Sequence, residues 1–262
     1  MIEEAATRII AVANQKGGVG KTTTAINLAA CVAAAERRVL LVDLDPQGNA
    51  TGGLGIDKNG LASTIYDVIV GRATMDGATH DTMVETLKIV PSNHHLTGAT
   101  VELVDAPRRE FRVKEAVQSV AHKYDFIFID CPPSLGLLTL NGLVAARSIL
   151  IPLQCEFYAL EGVTQLLDTI NLVRTRLNPT LKVEGVLLTM HDQRTNLSKQ
   201  VADEVRSYFG EKTYNVYVPR NVSLSEAPSF GRPVIFHDLK CAGSIAYLAL
   251  AQEVLADGRQ DW

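Results

Sequence analysis

Short runs of Val, Ile and Leu recur along the chain, and between them lie longer stretches whose apolar residues return with the period of an amphipathic helix. The short runs predict strands at Ile9 to Ala13, Val39 to Asp43, Leu87 to Val90, Phe126 to Asp130, Ser148 to Leu153, Val183 to Thr189 and Tyr214 to Val218. The longer ones predict helices at Thr23 to Ala35, Arg112 to His122, Leu138 to Ala146, Leu160 to Arg176, Leu197 to Phe209 and Ala242 to Ala256. Strands that are apolar at nearly every position are buried on both faces, which is the condition of a parallel sheet covered by helices on either side. The expected fold class is therefore α/β, with a mostly parallel twisted sheet flanked by helices, in a single domain over 1–262. The stretch from Gly52 to Thr86 has no clear period and is expected at the rim of the sheet.

The first predicted strand runs directly into Lys16-Gly17-Gly18-Val19-Gly20-Lys21-Thr22-Thr23. A strand, a glycine-rich loop and a helix N-terminus gather backbone N–H groups around one small volume, which suits a polyphosphate. Lys21 can then reach the β- and γ-phosphates, and the Thr22 hydroxyl can ligate Mg²⁺. The standard phosphate-loop pattern needs glycine where this chain has Gln15, and a second lysine, Lys16, follows. Two further strand ends carry acids. Asp43 and Asp45 close the second strand two residues apart, on one side of the extended chain, before the Pro46 and Gly48 loop. Asp130 closes Phe126-Ile127-Phe128-Ile129, the arrangement of a carboxylate that holds the water ligands of Mg²⁺.

The Lys-Gly-Gly-x-Gly-Lys-Thr loop resembles the deviant Walker A motif of the ParA/MinD ATPases. The segments Asp43 to Asn49, Asp130 to Ser134, Gln154 to Gly162, Val186 to Thr195 and Val218 to Ser229 extend the likeness to nearly the whole chain, in the manner of chromosomal, Soj-type ParA. The resemblance implies a P-loop NTPase that hydrolyses ATP with Mg²⁺. It implies that Lys16 reaches across a homodimer to the partner's nucleotide, as an arginine finger does. By the same likeness Asp45 positions the attacking water, Asp43 supports Mg²⁺ through its water shell beside Thr22 and Asp130, and Pro219 and Asn221 border the base. The helix-turn-helix extension of some plasmid members is not expected, because the phosphate loop begins almost at once.

Charge then bears on the partner. The whole chain carries −4, yet residues 172–240 hold ten Lys and Arg against seven Asp and Glu. Arg194 matches a family position whose arginine contacts DNA in the ATP dimer, whereas a second such arginine is usual where this chain has Ser223. Arg220 is a nearby candidate, and Lys199, Arg206, Arg232 and Lys240 are further ones; long cations on one face neutralise phosphates without reading bases. Relatives tend to carry an aromatic where this chain has His191. The implied partners are nonspecific double-stranded DNA and a ParB-like centromere-binding protein, and the same ATPase site could equally position another cargo.

Other classes lose ground. The four cysteines, Cys31, Cys131, Cys155 and Cys241, lack metal or redox spacing and read as reduced packing residues. His94-His95 has no accompanying thiol or carboxylate cluster and reads as a solvated loop. No apolar run would span a bilayer, and the acidic Met1 to Ala5 lacks the basic start of a secretion signal, so a cytoplasmic, nucleoid-associated protein is expected. A MinD-like membrane switch would need a basic C-terminal helix. The tail from Ala249 to Trp262 instead carries Glu253, Asp257 and Asp261 against Arg259.

Overall fold

The computed structural model describes residues 6–156 and 159–256, with 159–162 as backbone only. Phe157 and Tyr158 of the family-like segment, and Asp257, Arg259 and Asp261 of the acidic tail, lie outside the described residues. Eight strands form one sheet: β1 (Arg8–Val12), β2 (Val39–Asp43), β3 (His80–Asp81), β4 (Leu87–Val90), β5 (Phe126–Asp130), β6 (Ser148–Gln154), β7 (Lys182–His191) and β8 (Thr213–Pro219). Their spatial order is β3-β4-β2-β5-β1-β6-β7-β8, and every pairing is parallel except β3 with β4. All seven strands expected from the pattern are present; β3, two residues long, is the one it did not show.

Side chains alternate between two cores. Ile9, Ala11 and Ala13 enter one, Ile10 and Val12 the other, and both sets are buried. The first core is closed by α3 (Ile65–Ile69), α4 (Leu96–Glu102), α5 (Arg112–Val120), α6 (Leu137–Ala145), α7 (Ala159–Arg176) and α8 (Asn196–Phe209). The second is closed by α1 (Lys21–Ala34) and α11 (Ala242–Ala256), with the short α2 (Asn49–Gly53), α9 (Val222–Glu226) and α10 (Val234–His237). Helix α1 is apolar on nearly all sides because it lies between the sheet and α11, where Thr24 and Tyr247 share a buried hydroxyl hydrogen bond at 3.1 Å. The Gly52 to Thr86 stretch, without a clear period, holds the end of α2, then α3 and the edge strand β3, and α3 starts at a Thr64–Asp67 capping box.

The register sets the site. Val12, Asp130 and Asp43 form one row across β1, β5 and β2, so three loops leave the sheet together at its carboxyl end. This is also where the chain turns from one half of the sheet to the other, beside β1, the usual ligand position in such folds. One sheet edge is the two-residue β3, antiparallel to β4, and at the other Glu253 of α11 accepts from the amides of Asn215 and Val216 of β8 at 3.1 and 3.0 Å.

Between α7 and β7, Asn178 is buried and its amide donates to the carbonyls of Leu143 (3.0 Å) and Ala146 (2.7 Å) at the end of α6. Asn178→Ala leaves those carbonyls without a partner, and urea denaturation is expected to show a loss of about 1–3 kcal/mol.

Candidate functional site

Gly18 and Gly20 sit at φ +74° and +86°, which favours glycine, and a Cβ at Gly18 would meet nothing within 4 Å. Gly20 is the residue before α1 and supplies no capping side chain, so the first N–H groups of the helix face the loop without a side-chain partner. Gly17, Gly18 and Val19 complete the loop between the two lysines. Its ends are fixed by buried polar groups. The amide of Asn14 donates to the Pro152 carbonyl at 2.7 Å, while its Oδ1 receives the Lys16 N–H at 3.0 Å. The Thr189 hydroxyl, at the end of β7, donates to the Val19 carbonyl at 2.9 Å.

The two lysines behave differently. Lys21 is buried and its Nζ donates across the loop to the Lys16 carbonyl at 2.9 Å. Burial pushes its pKa down, against the pull of Asp130 and Asp45. The Lys16 side chain is 41% exposed and pairs with Glu156 of its own chain at 3.0 Å. Glu156 also lies 3.7 Å from the Arg220 guanidinium.

Asp43 and Asp130 are register neighbours, and both are fully buried. Asp43 accepts from the backbone of Asp45 (3.1 Å) and from the backbone and hydroxyl of Thr51 (2.8 and 2.7 Å), which folds the loop after β2 back onto the strand. Burial raises the Asp43 pKa to about 6, with the Thr51 hydrogen bonds opposing the rise. Asp130 has both carboxylate oxygens buried with no hydrogen-bond partner. Burial and then the Asp43 charge push its pKa well above the usual range, while the nearby Thr22 side chain and Lys21 pull the other way. An unpartnered buried carboxylate beside a threonine at a helix start fits a hydrated Mg²⁺. Among the described residues no group of three or more His, Cys, Asp or Glu forms a metal cage. Asp45 is also buried; its Oδ1 receives the Gln47 N–H at 2.9 Å, and its carbonyl receives the Ser92 hydroxyl at 2.7 Å and the Gly48 N–H at 2.9 Å. Gly48 (φ +60°) must be small, since a Cβ would come within 2.6 Å of the Ser92 carbonyl oxygen.

Residues 7–183 match the family model described as an AAA domain. The chain is 58% identical to the chromosome partitioning protein ParA of Myxococcus xanthus, over 95% of this chain and 88% of that one. It is 55% identical to the sporulation initiation inhibitor protein Soj of Bacillus subtilis, over 96% and 99%. The chain belongs to the ParA family. Among solved structures, cobyrinic acid a,c-diamide synthase of Mycobacterium smegmatis with bound ADP and magnesium superimposes with a TM-score of 0.86 at 39% identity, covering 97% of this chain and 96% of that one.

In this ParA-family chain a cavity of about 500 Å³ opens beside the loop, lined by Gly20, Thr23, Met190, Pro219, Asn221 and Tyr247 among others. Pro219 and Asn221 thus line the same cavity as Gly20 and Thr23. Asn221 also caps α9, its Oδ1 accepting from Leu224 at 3.3 Å. Met190 lies at φ +52°, an uncommon conformation for a side chain of its size. A second cavity, about 580 Å³, lies beyond Pro219 and Arg220 and is lined by His191, Asp192, Arg194, Tyr217 and α11. His191, buried and with its pKa lowered by that burial, stacks on Tyr217 at 4.4 Å, and the Arg206 guanidinium lies 5.0 Å from the same ring.

The DNA candidates are all exposed, but only some come together. Arg194 and Arg220 share the second cavity and Arg206 reaches its Tyr217 wall, whereas Lys199, Arg232 and Lys240 are not part of its lining. Sequence reasoning assigned no role to Asn14, Thr51, Ser92, Glu156 or Thr189. Asn14 and Glu156 at least sit beside motif residues; Thr51 and Ser92 carry no local signal.

Because the folded chain holds protons on Asp43 and Asp130 more tightly than an unfolded chain, where Asp titrates near 3.8, this pair contributes stability that is complete below about pH 4. It is lost as pH rises past about 6 for Asp43 and higher for Asp130. Scanning calorimetry of nucleotide-free protein is expected to show Tm falling across that window. Asp130→Asn is expected to flatten the fall and to stabilise the protein at pH 8 by about 1–3 kcal/mol, while removing the extra stabilisation given by Mg²⁺ and ATP.

Proposed function

We propose that this chain is an ATP-driven DNA-partitioning switch. It binds ATP with Mg²⁺, dimerises around the nucleotide, holds nonspecific double-stranded DNA in that state, and is released when a ParB-like centromere-binding partner stimulates hydrolysis. It works in the cytoplasm on the nucleoid, and no described helix is long and apolar enough to cross a membrane. The observation that carries the reading is the division between the two lysines: Lys21 is buried over its own loop, while Lys16 stands outside it, half exposed, free to serve a second copy once Glu156 lets go.

Each residue has a task. The loop amides of Gly17, Gly18, Val19, Gly20 and Thr23, together with Lys21, hold the phosphates. Thr22 and Asp130 would hold Mg²⁺, with Asp43 supporting its water shell, and the ion would supply positive charge to the triphosphate. Asp45, clamped by Gln47, Gly48 and Ser92, orients the attacking water. Lys16 stabilises charge on the partner's transferring phosphoryl group. Arg194 and Arg220, with Arg206 nearby, neutralise DNA phosphates, and Lys199, Arg232 and Lys240 extend that surface. The Mycobacterium neighbour bears a synthase's name, so a shared fold with ADP and magnesium does not fix what the nucleotide drives. The link to DNA is supported by the ParA and Soj relatives, which are more similar in sequence.

Asp45→Ala is expected to accumulate as an ATP dimer on DNA, and Lys21→Ala to remain monomeric and off DNA. Size exclusion with ATP giving the same mass for both variants contradicts the reading, as does wild-type protein binding duplex DNA equally well in ADP and ATP. Arg194→Ala is expected to weaken DNA binding at least severalfold without changing ATP affinity. ATPase rates measured alone, with DNA, and with DNA plus a candidate partner should rise only in the last case by an order of magnitude.

A further inference from the structure

Strand β7 ends at His191, and the loop that follows places Asp192 against Arg194. The Asp192 Oδ1 accepts from the backbone N–H of Arg194 at 3.0 Å and from its Nε at 2.9 Å, and Oδ2 accepts from Nη2 at 2.8 Å. The loop is braced around this pair: the Thr195 N–H and hydroxyl both donate to the Asp192 carbonyl at 3.1 Å, and Thr195 caps α8. The carboxylate therefore occupies the Nε/Nη2 edge of the guanidinium, the edge that a phosphate would take with two parallel hydrogen bonds. Yet the Arg194 side chain is 89% exposed, so a phosphate can approach it.

From this geometry we infer that Asp192 sets the DNA affinity of the chain: its carboxylate competes with backbone phosphate for one edge of Arg194, and DNA binds by displacing it. This rests on the reading of Arg194 as a phosphate contact. The Arg194 hydrogen bonds hold the Asp192 carboxyl well below the usual range, so the competitor stays charged at any working pH. Phosphate wins only where neighbouring contacts, such as those of a second protomer, add to the attraction. Asp192 thereby weakens the hold of each subunit on DNA by a few-fold.

Asp192→Asn tests this, because an amide oxygen can still accept from the Arg194 backbone while the charge is gone. Anisotropy with a labelled nonspecific duplex, over a NaCl series in ATP and in ADP, is expected to show binding roughly two- to fivefold tighter per protomer. The gain is largest at low salt and vanishes at high salt, with Tm and basal ATPase unchanged. The gain appears in both nucleotides, once for a lone subunit in ADP and twice over for the ATP dimer, and Asp192→Ser, which also keeps a turn-capping oxygen, behaves alike. Combining Asp192→Asn with Arg194→Ala abolishes the gain. If Arg194→Ala loses binding while Asp192→Asn binds as the parent does, or gains equally at all salt, or keeps its gain in the double variant, the inference is overturned. If Arg194→Ala binds DNA as the parent does, the phosphate-contact reading itself falls, and this inference with it.

Discussion

Two carboxylates that are neighbours across a parallel sheet, both buried, are a standing electrostatic cost. Asp43 offsets its share through Thr51 and the Asp45 amide; Asp130 has only the nearby Thr22 side chain and Lys21 to set against its burial. The surrounding structure follows from that imbalance. The loop after β2 must fold back to serve Asp43, which brings Asp45 to the same end of the sheet, and Ser92 and Gly48 then lock Asp45 in place. The buried, unpartnered oxygens of Asp130 fit a hydrated divalent ion.

The parts of this arrangement that were legible in the sequence are those set by neighbours along the chain. Gly18 and Gly20 are required by local backbone geometry, and Asp43 and Asp130 by the ends of apolar runs, so the pattern of residues displays them. Parallel strands buried on both faces are equally plain, since each run is apolar throughout. What stayed hidden depends on contacts between distant segments. Thr51 matters because its hydroxyl receives the Ser92 N–H at 2.9 Å while donating to Asp43, and no spacing rule connects those three positions. Short α2, α3 and α4 make too few turns to show a period, and β3 is a strand only because β4 lies beside it. The candidate phosphate-binding cations were legible as a list but not as a place. Arg194 and Arg220 meet around one cavity because β7 and β8 are paired, whereas Arg232 and Lys240 follow other elements.

A common theme joins the two ends of the molecule's chemistry. The exposed lysine of the phosphate loop and the exposed arginine after β7 are each held by a carboxylate of the same chain, Glu156 and Asp192. Exposed ion pairs of this kind are individually weak. They are strong enough to orient a long side chain and weak enough to yield to a polyphosphate.

The margins of the sheet have a different consequence. With the two-residue β3 as one border and Glu253 occupying two amides of the other, each border gives an incoming strand little to pair with. Borders this short or partly occupied discourage edge-to-edge pairing between copies, which leaves helices and loops, surfaces whose shape can answer to a small molecule, as the better ground for contact with a second subunit.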